Sequence, residues 1–133
     1  MSLQSTIEAL AAAGAGADRG QARDAFRELK VALERGTVRS AEPDPSSPTG
    51  WRVNTWVKQG ILLGFKFGEI VDQSAGLPFY DKDTQTVQKF STESNIRIVP
   101  GGSGVRRGAH LGRGVICVPP VYVNIGAYIG AGS

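Results

Sequence analysis

The sequence predicts an α+β domain over residues 1–100, followed by the beginning of a β-solenoid over residues 101–133. Apolar side chains recur every three or four residues in the first third of the chain, as on one face of a helix. The stretch from Val105 to Ser133 instead repeats an apolar residue at every sixth position, a period typical of solenoids built from short strands. The chain's 18 glycines are concentrated toward this end, which marks a change of architecture.

Two helices are predicted before residue 40. The first covers about Leu3 to Ala13. Asp18 is a suitable N-cap for the second, and Gln21, three residues later, resembles the partner in a capping box. Gly36 stands where a helix C-terminal cap is expected. The apolar face of this second helix consists of Ala22, Ala25, Phe26, Leu29, Ala32 and Leu33.

The segment 42–50 is rich in proline and serine, and we interpret it as a loop or linker within the first domain. Asn54 is then a candidate N-cap for a third helix, although Gly60 and Gly64 weaken it by about 1 kcal/mol each relative to alanine. The alternation from Phe65 to Ile70 also suits a strand, so periodicity leaves this stretch open. The apolar side chains of the possible helix are Trp56, Val57, Ile61 and Phe65.

The next 25 or so residues are polar and rich in turn formers, and a short strand with one charge, Arg97, follows them. Within the polar stretch, four consecutive side chains either line a binding site or form a solvated surface loop, which is the commoner case. These are Tyr80, Asp81, Lys82 and Asp83.

The hexapeptide repeat assigns each position a role. The first position should point inward and stack on its equivalents; its occupants are Val105, Leu111, Cys117, Val123 and Ile129. Glycine or proline at the fourth position suits a turn; these are Gly108, Gly114, Pro120, Gly126 and Gly132. Cys117 is therefore expected to be a small buried hydrophobe rather than a nucleophile. A solenoid unit needs neighbours on both sides, so we expect the sequence to be the front part of a longer protein.

Composition narrows the class of protein. The net charge is +3, and basic residues alternate with acidic ones, which argues against a nucleic-acid partner. The single cysteine fits a reducing compartment, hence the cytoplasm. No apolar run reaches the roughly 18 residues of a membrane span, so no membrane partner is expected.

Three stretches resemble a known family. They are WRVNTWVKQGILLGFKF, IRIVPGGSGVRRGAHLG and GVICVPPVYVNIGAYIGAGS. From about Val38 onward the chain resembles the N-terminal part of the tetrahydrodipicolinate N-succinyltransferases, which are hexapeptide-repeat acyltransferases. The resemblance implies the first coils of a left-handed parallel β-helix after the α+β domain, apparently truncated.

The resemblance also implies a reaction. Members transfer succinyl from succinyl-CoA to the amino group of ring-opened tetrahydrodipicolinate, in the succinylase route to diaminopimelate and lysine. They are homotrimers with active sites between neighbouring β-helices, and they use succinyl-CoA as co-substrate with no tightly bound cofactor. Arg97 matches the family's substrate-binding arginine, and guanidinium suits a dicarboxylate substrate. The family's catalytic glutamate has no counterpart in this chain, so the chain alone is expected to be inactive.

Other interpretations stay open. The chain could be a non-catalytic trimer-assembly module, or belong to a related acyltransferase that uses acetyl-CoA, although WVKQGILLGF favours the succinyl branch. His110 is the one histidine, which excludes a three-histidine zinc site and leaves a surface or trimer-interface role; we expect no metal. The GGSG stretch at Gly101 is interpreted as a connector. Arg106, Arg107 and Arg113 are expected to be solvated corner residues rather than ligands of a carboxylate or phosphate.

Overall fold

A computed structural model describes residues 1–72 and 79–133. Three helices form the N-terminal part, which we call the helical head. They are α1 (Leu3–Ala13), α2 (Arg19–Glu34) and α3 (Thr55–Lys66), and each packs against the other two. A short 3₁₀ turn, Gly14–Gly16, joins the first two helices. The first two helices are those that the sequence predicts.

Two of the three helices have a side-chain hydrogen bond that caps the N-terminus. Ser2 Oγ accepts a hydrogen bond from the Ser5 amide at 3.1 Å, and Asp18 Oδ1 accepts one from the Gln21 amide at 2.8 Å. Asn54 occupies the N-cap position of α3, but its side chain makes no capping bond. Its Nδ2 donates to Arg39 O and to Glu42 Oε2, both at 2.7 Å, which ties the side chain to the preceding segment.

The strand considered between Phe65 and Ile70 is wrong for its first part, because α3 continues to Lys66. The two glycines that weaken this helix in isolation allow close packing in the fold. A Cβ at Gly60 would lie 2.5 Å from Leu29 Cδ2, and a Cβ at Gly64 would lie 2.5 Å from the Phe26 ring. The helix therefore forms because α2 packs directly against its glycine face.

The helical head has one apolar core, and one member comes from the far end of the chain. The buried residues are Ile7, Leu10, Ala25, Phe26, Leu29, Leu33, Val57, Leu63 and Ile125. Ile125 is only 7% exposed. Since Ile125 lies in the repeat region, the head and the repeats share buried surface.

Two hairpins project from the head. Strand β1 (Ala41–Pro43) pairs antiparallel with β2 (Trp51–Val53), so the Pro/Ser-rich segment is the turn of a hairpin rather than an open connector. Asp44 begins that turn, accepting hydrogen bonds from the Ser46 amide and hydroxyl at 2.9 and 2.6 Å. Strand β3 (Ile70–Asp72) pairs antiparallel with β4 (Tyr80–Lys82).

Residues 96–133, which we call the C-terminal segment, contain six two-residue strands. They are β5 (Arg97–Ile98), β6 (Gly104–Val105), β7 (His110–Leu111), β8 (Ile116–Cys117), β9 (Tyr122–Val123) and β10 (Tyr128–Ile129). They pair in parallel as β5–β8, β6–β9 and β7–β10. Val105 thus lies beside Val123, 18 residues or three hexapeptides later. Each strand therefore pairs with the third strand after it, as in a chain that turns three corners per circuit.

The interior of this segment matches the repeat. Its buried cluster consists of Val105, Ala109, Leu111, Val115, Cys117 and Val123. Four of the five first-position residues are buried, which confirms their predicted direction, and Ile129 packs partly against them. Cys117 is a buried free thiol, as expected. The four fourth-position glycines have positive φ, between 77° and 89°, which explains glycine there.

Residues 86–90 run beside the first strands of the C-terminal segment and cover one end of it. The Gln88 amide donates to Val105 O at 2.7 Å, and the Arg107 amide donates to Thr86 O at 2.9 Å. Phe90 packs against the buried cluster from this side. This stretch protects the first strand edge that would otherwise be open.

No helix in the described ranges is both long and apolar enough to cross a membrane.

Candidate functional site

The C-terminal segment presents three outward faces, one for each pair of strands. Along each strand one side chain enters the buried cluster and its neighbour points away from it. The outward pairs are Arg97 with Ile116, Gly104 with Tyr122, and His110 with Tyr128. The last pair is partly covered by the helical head, through contacts of α2 with β7, although Tyr128 remains 41% exposed. The first two faces are therefore open to a ligand or to another subunit.

Arg97, the predicted substrate-binding residue, lies on the first of these open faces. Its backbone is fixed, because its amide donates to Val115 O at 3.0 Å while the Val99 amide donates to Cys117 O at 3.0 Å. The side chain is exposed, and no carboxylate within the described ranges forms an ion pair with it. A rigid strand thus holds a guanidinium whose hydrogen-bond donors remain available.

A groove of about 410 Å³ adjoins the strand that carries Arg97. Ile98, the next residue, forms part of its wall together with Phe90, Lys89 and Ser103. The eight residues that line the groove include one base and no acid. The groove is therefore mildly basic over an apolar floor.

His110 is half-buried against the helical head rather than a free surface residue. Its Nδ1 lies 2.8 Å from the carbonyl oxygen of Glu34, the last residue of α2. Its ring stacks on Tyr128 with centroids 4.4 Å apart. Because the helix C-terminus carries partial negative charge, it suits an imidazole N–H donor at this place. His110 therefore joins the head to the C-terminal segment.

Two of the three arginines predicted to be solvated corner residues instead form ion pairs within the chain. Arg106 pairs with Asp81 at 2.7 Å, and its side chain is only 18% exposed. Arg107 Nε donates to Glu34 Oε1 at 2.9 Å. The sequence offers no sign of these pairs because their partners lie more than 20 residues away. Arg113 is exposed, as expected.

The stretch from Tyr80 to Asp83 acts mainly as a structural connection. Asp81 binds Arg106, and Asp83 forms a bidentate pair with Arg23, at 2.7 and 3.2 Å. The hydrogen bonds from Arg23 and from the Glu69 amide lower the pKa of Asp83 to about 2. Of these four residues, only Tyr80 is largely exposed, at 68%. The sequence leaves two interpretations of this stretch, a solvated loop and a binding site. Neither describes Asp81 and Asp83, since both form ion pairs with arginines.

Lys30 is a buried polar residue on α2 that is not among the apolar positions predicted to form the buried face of this helix. It is 7% exposed, its Nζ donates to Thr84 O at 3.1 Å, and burial lowers its pKa. The signal was available, since Lys30 follows Phe26 by four residues and shares its helix face. Gln85 beside it is also buried, and neither of its side-chain polar atoms has a hydrogen-bond partner.

Within the described residues, no group of three or more His, Cys, Asp or Glu side chains is placed to hold a metal ion. Several acidic residues of the head form ion pairs with arginines, such as Glu34 with Arg107.

Comparison with known proteins identifies related sequences. Residues 2–67 match the family model described as the tetrahydrodipicolinate N-succinyltransferase N-terminal region. A protein of Xylella fastidiosa named 2,3,4,5-tetrahydropyridine-2,6-dicarboxylate N-succinyltransferase is 38% identical over 107 residues, which is 76% of this chain and 37% of that protein. Proteins of the same name from Afipia carboxidovorans and Rhodopseudomonas palustris are 32% and 33% identical, over 85% and 96% of this chain.

The chain spans 41% and 47% of the lengths of these last two relatives, so it corresponds to less than half of each. The similar region includes both the helical head and the repeats that follow it. The resemblance predicted from the sequence is confirmed, and the chain belongs to the tetrahydrodipicolinate N-succinyltransferase family, over the N-terminal region of those proteins.

Proposed function

We propose that this chain supplies the head and first coils of an enzyme that transfers succinyl from succinyl-CoA to the amino group of ring-opened tetrahydrodipicolinate. The observation that carries the proposal is the 32–38% identity to proteins named for this N-succinyltransferase activity. Because the chain spans less than half of those proteins, the reaction belongs to the whole enzyme. This chain's own contribution is binding and orientation.

The C-terminal segment is, in this proposal, the start of a left-handed parallel β-helix. Parallel pairing at a separation of 18 residues supports it, since three hexapeptides then make one coil. The domain division at about residue 100 follows the same logic, with residues 101–133 as the beginning of the helix. The insertion of Ile125 into the head's core means that the two domains share one packed interface.

Arg97 is proposed to bind a carboxylate of the substrate. Its outward direction and free guanidinium support this role, because a planar fork pairs bidentately with a carboxylate. Such a contact would fix the substrate while its amine attacks the thioester carbonyl of succinyl-CoA. The succinyl group then passes directly to nitrogen, and CoA leaves as its thiol. No residue of this chain is assigned to proton transfer.

The enzyme is further proposed to be a cytoplasmic homotrimer with active sites between neighbouring coils. Apolar side chains on the open faces support such an association. Ile116, Val118 and Tyr122 are 46%, 62% and 65% exposed, and apolar side chains of this kind could be buried against a neighbouring subunit.

A chimera tests the proposed function. Residues 1–133 are joined to the remaining sequence of the Xylella fastidiosa relative, and thiol release is measured with tetrahydrodipicolinate and either succinyl-CoA or acetyl-CoA. We expect release that requires both substrates and prefers succinyl-CoA. The same assay on the 133-residue chain should give no release. Light scattering on the chimera should report a trimer.

Arg97→Gln in the chimera should reduce kcat/KM by about 100-fold, the loss expected for a charged, bidentate contact. Arg113→Gln, an exposed arginine in the next circuit, is the matched control and should have little effect. A folded trimeric chimera without activity would overturn the proposed reaction. An active chimera that tolerates Arg97→Gln would overturn only the role of Arg97.

A further inference from the structure

Arg39 has an unusual environment for an arginine at a buried junction. Its guanidinium carbon lies 3.7 Å from the centroid of the Tyr128 ring, so the cation is laid flat on the aromatic face. The residue is half-buried between the head and strand β10. Stacking of this kind fixes the plane of the guanidinium and directs its N–H groups outward from the ring edge.

The guanidinium forms no ion pair within residues 1–72 and 79–133. None of the ion pairs formed there includes Arg39, and its Nε is buried without any hydrogen-bond partner. The carboxylate of Glu42 interacts with Arg39 electrostatically, but its oxygens are already engaged by Arg52 and by Asn54 Nδ2. A buried donor without an acceptor costs stability, so its retention needs a reason.

Tyr128 contributes a second donor at the same place. Its ring is held from the other side by His110, at a centroid distance of 4.4 Å and an interplanar angle of 19°. The Tyr128 hydroxyl has no hydrogen-bond partner among the described residues, and the side chain is 41% exposed. A stacked cation and a fixed phenol therefore lie side by side at an opening to solvent.

We propose that Arg39 and Tyr128 form an anion-binding site for a carboxylate or phosphate group, separate from the Arg97 face. Arg39 and His110 hold the Tyr128 ring on its two faces, so the donors are preorganised before the anion arrives. The ligand class follows from the donors: a planar guanidinium edge and a hydroxyl suit an oxyanion that accepts two or more hydrogen bonds. The inference does not depend on the acyl-transfer reaction.

Nuclear magnetic resonance of the 133-residue chain tests the site directly. The buried Arg39 Nε–H should be protected from exchange and give a separate signal, which is followed during titration with sodium succinate, with inorganic phosphate and with sodium chloride at equal ionic strength. We expect a saturable shift with succinate or phosphate, with a dissociation constant on the order of 1 mM, and none with chloride. The tighter of the two identifies the carboxylate or phosphate class.

The Arg107 Nε–H is an internal reference, because it is already bonded to Glu34 and should not move. Tyr128→Phe keeps the stacked ring and should weaken binding about tenfold, whereas Arg113→Gln should leave it unchanged. Arg39→Lys should weaken it by a similar factor while preserving the charge. A non-saturable shift, an equal shift at Arg107, or unchanged binding in folded Tyr128→Phe and Arg39→Lys would refute the site.

Discussion

The side chain of Arg107 donates to the carboxylate of Glu34 at 2.9 Å, across 73 residues of sequence. Glu34 ends α2, and its Oε1 also accepts the Gly108 amide at 2.9 Å. One acidic residue at a helix end thus binds both the side chain and the backbone of the turn between β6 and β7. Together with the bond from His110 to the Glu34 carbonyl, it fixes how the head sits on the C-terminal segment.

This contact can be measured by a double-mutant cycle on Glu34→Gln and Arg107→Gln. We expect a coupling of about 1 kcal/mol in the free energy of unfolding, since the pair is only partly exposed. The matched control is Asp24 with Arg27, an exposed pair on α2 that should couple by less than about 0.5 kcal/mol. Additive effects of the two Glu34–Arg107 changes would show that the contact contributes nothing.

Ile125 should couple the folding of the repeats to that of the head. Ile125→Ala removes a buried side chain from the helical core and should lower the free energy of unfolding by about 2–4 kcal/mol. Helix circular dichroism and tertiary signals from the C-terminal segment should fall in one transition. Ile116→Ala, at an exposed position, should change stability by less than about 0.5 kcal/mol. Two separate transitions in the wild-type chain would contradict the shared core.

Glycine-to-alanine changes in α3 should lower the stability of the fold, although alanine has the higher helix propensity. Gly60→Ala and Gly64→Ala place a Cβ 2.5 Å from Leu29 or from the Phe26 ring, so each should destabilise by about 1–3 kcal/mol instead of stabilising. Gly16→Ala, where no atom lies within 4 Å of the added carbon, is the control and should be neutral or slightly stabilising. Thermal melting distinguishes the two cases, and a raised melting temperature in the α3 variants would contradict the packing.

Asp83 should contribute to acid sensitivity. Its folded pKa of about 2 lies below the ordinary value of 3.8, so folding favours the ionised carboxylate. The resulting stabilisation is complete above about pH 4 and is lost as the pH falls toward about 2. Asp83→Asn should cost about 1 kcal/mol at neutral pH and reduce the slope of stability against pH in that range. The exposed Asp24→Asn serves as control, and an unaltered slope in Asp83→Asn would be the contrary result.

Local patterns in the sequence predict much of this fold. The N-cap at Asp18 and the apolar spacing along α2 depend only on residues within one or two helical turns, so they can be predicted from the local sequence. The hexapeptide period likewise predicts which side chains are buried, Cys117 among them. A signal for Ile125 also exists, because it is the one large aliphatic residue at the third repeat position, where the other units have Arg107, Arg113, Pro119 and Ala131.

What the sequence could not predict depends on contacts between distant segments. The helical state of Gly60 and Gly64 follows from the close approach of α2, which no local propensity records. The burial of Arg106 follows from its pairing with Asp81 in a separate hairpin. The stacking of Arg39 on Tyr128 joins two residues far apart in the sequence, so no local pattern predicts it.

The C-terminal segment is built on parallel pairing between strands about 18 residues apart, and this pairing directs the Arg97 side chain outward. Couplings across hydrogen bonds, measured by nuclear magnetic resonance on labelled protein, test it most directly. The account predicts couplings from the amides of Gly104, His110 and Arg97 to the carbonyls of Val121, Ala127 and Val115, which the structure places at 2.9–3.0 Å. Couplings instead between strands adjacent in sequence, as in hairpins, would contradict it and remove the basis for the site on the Arg97 face.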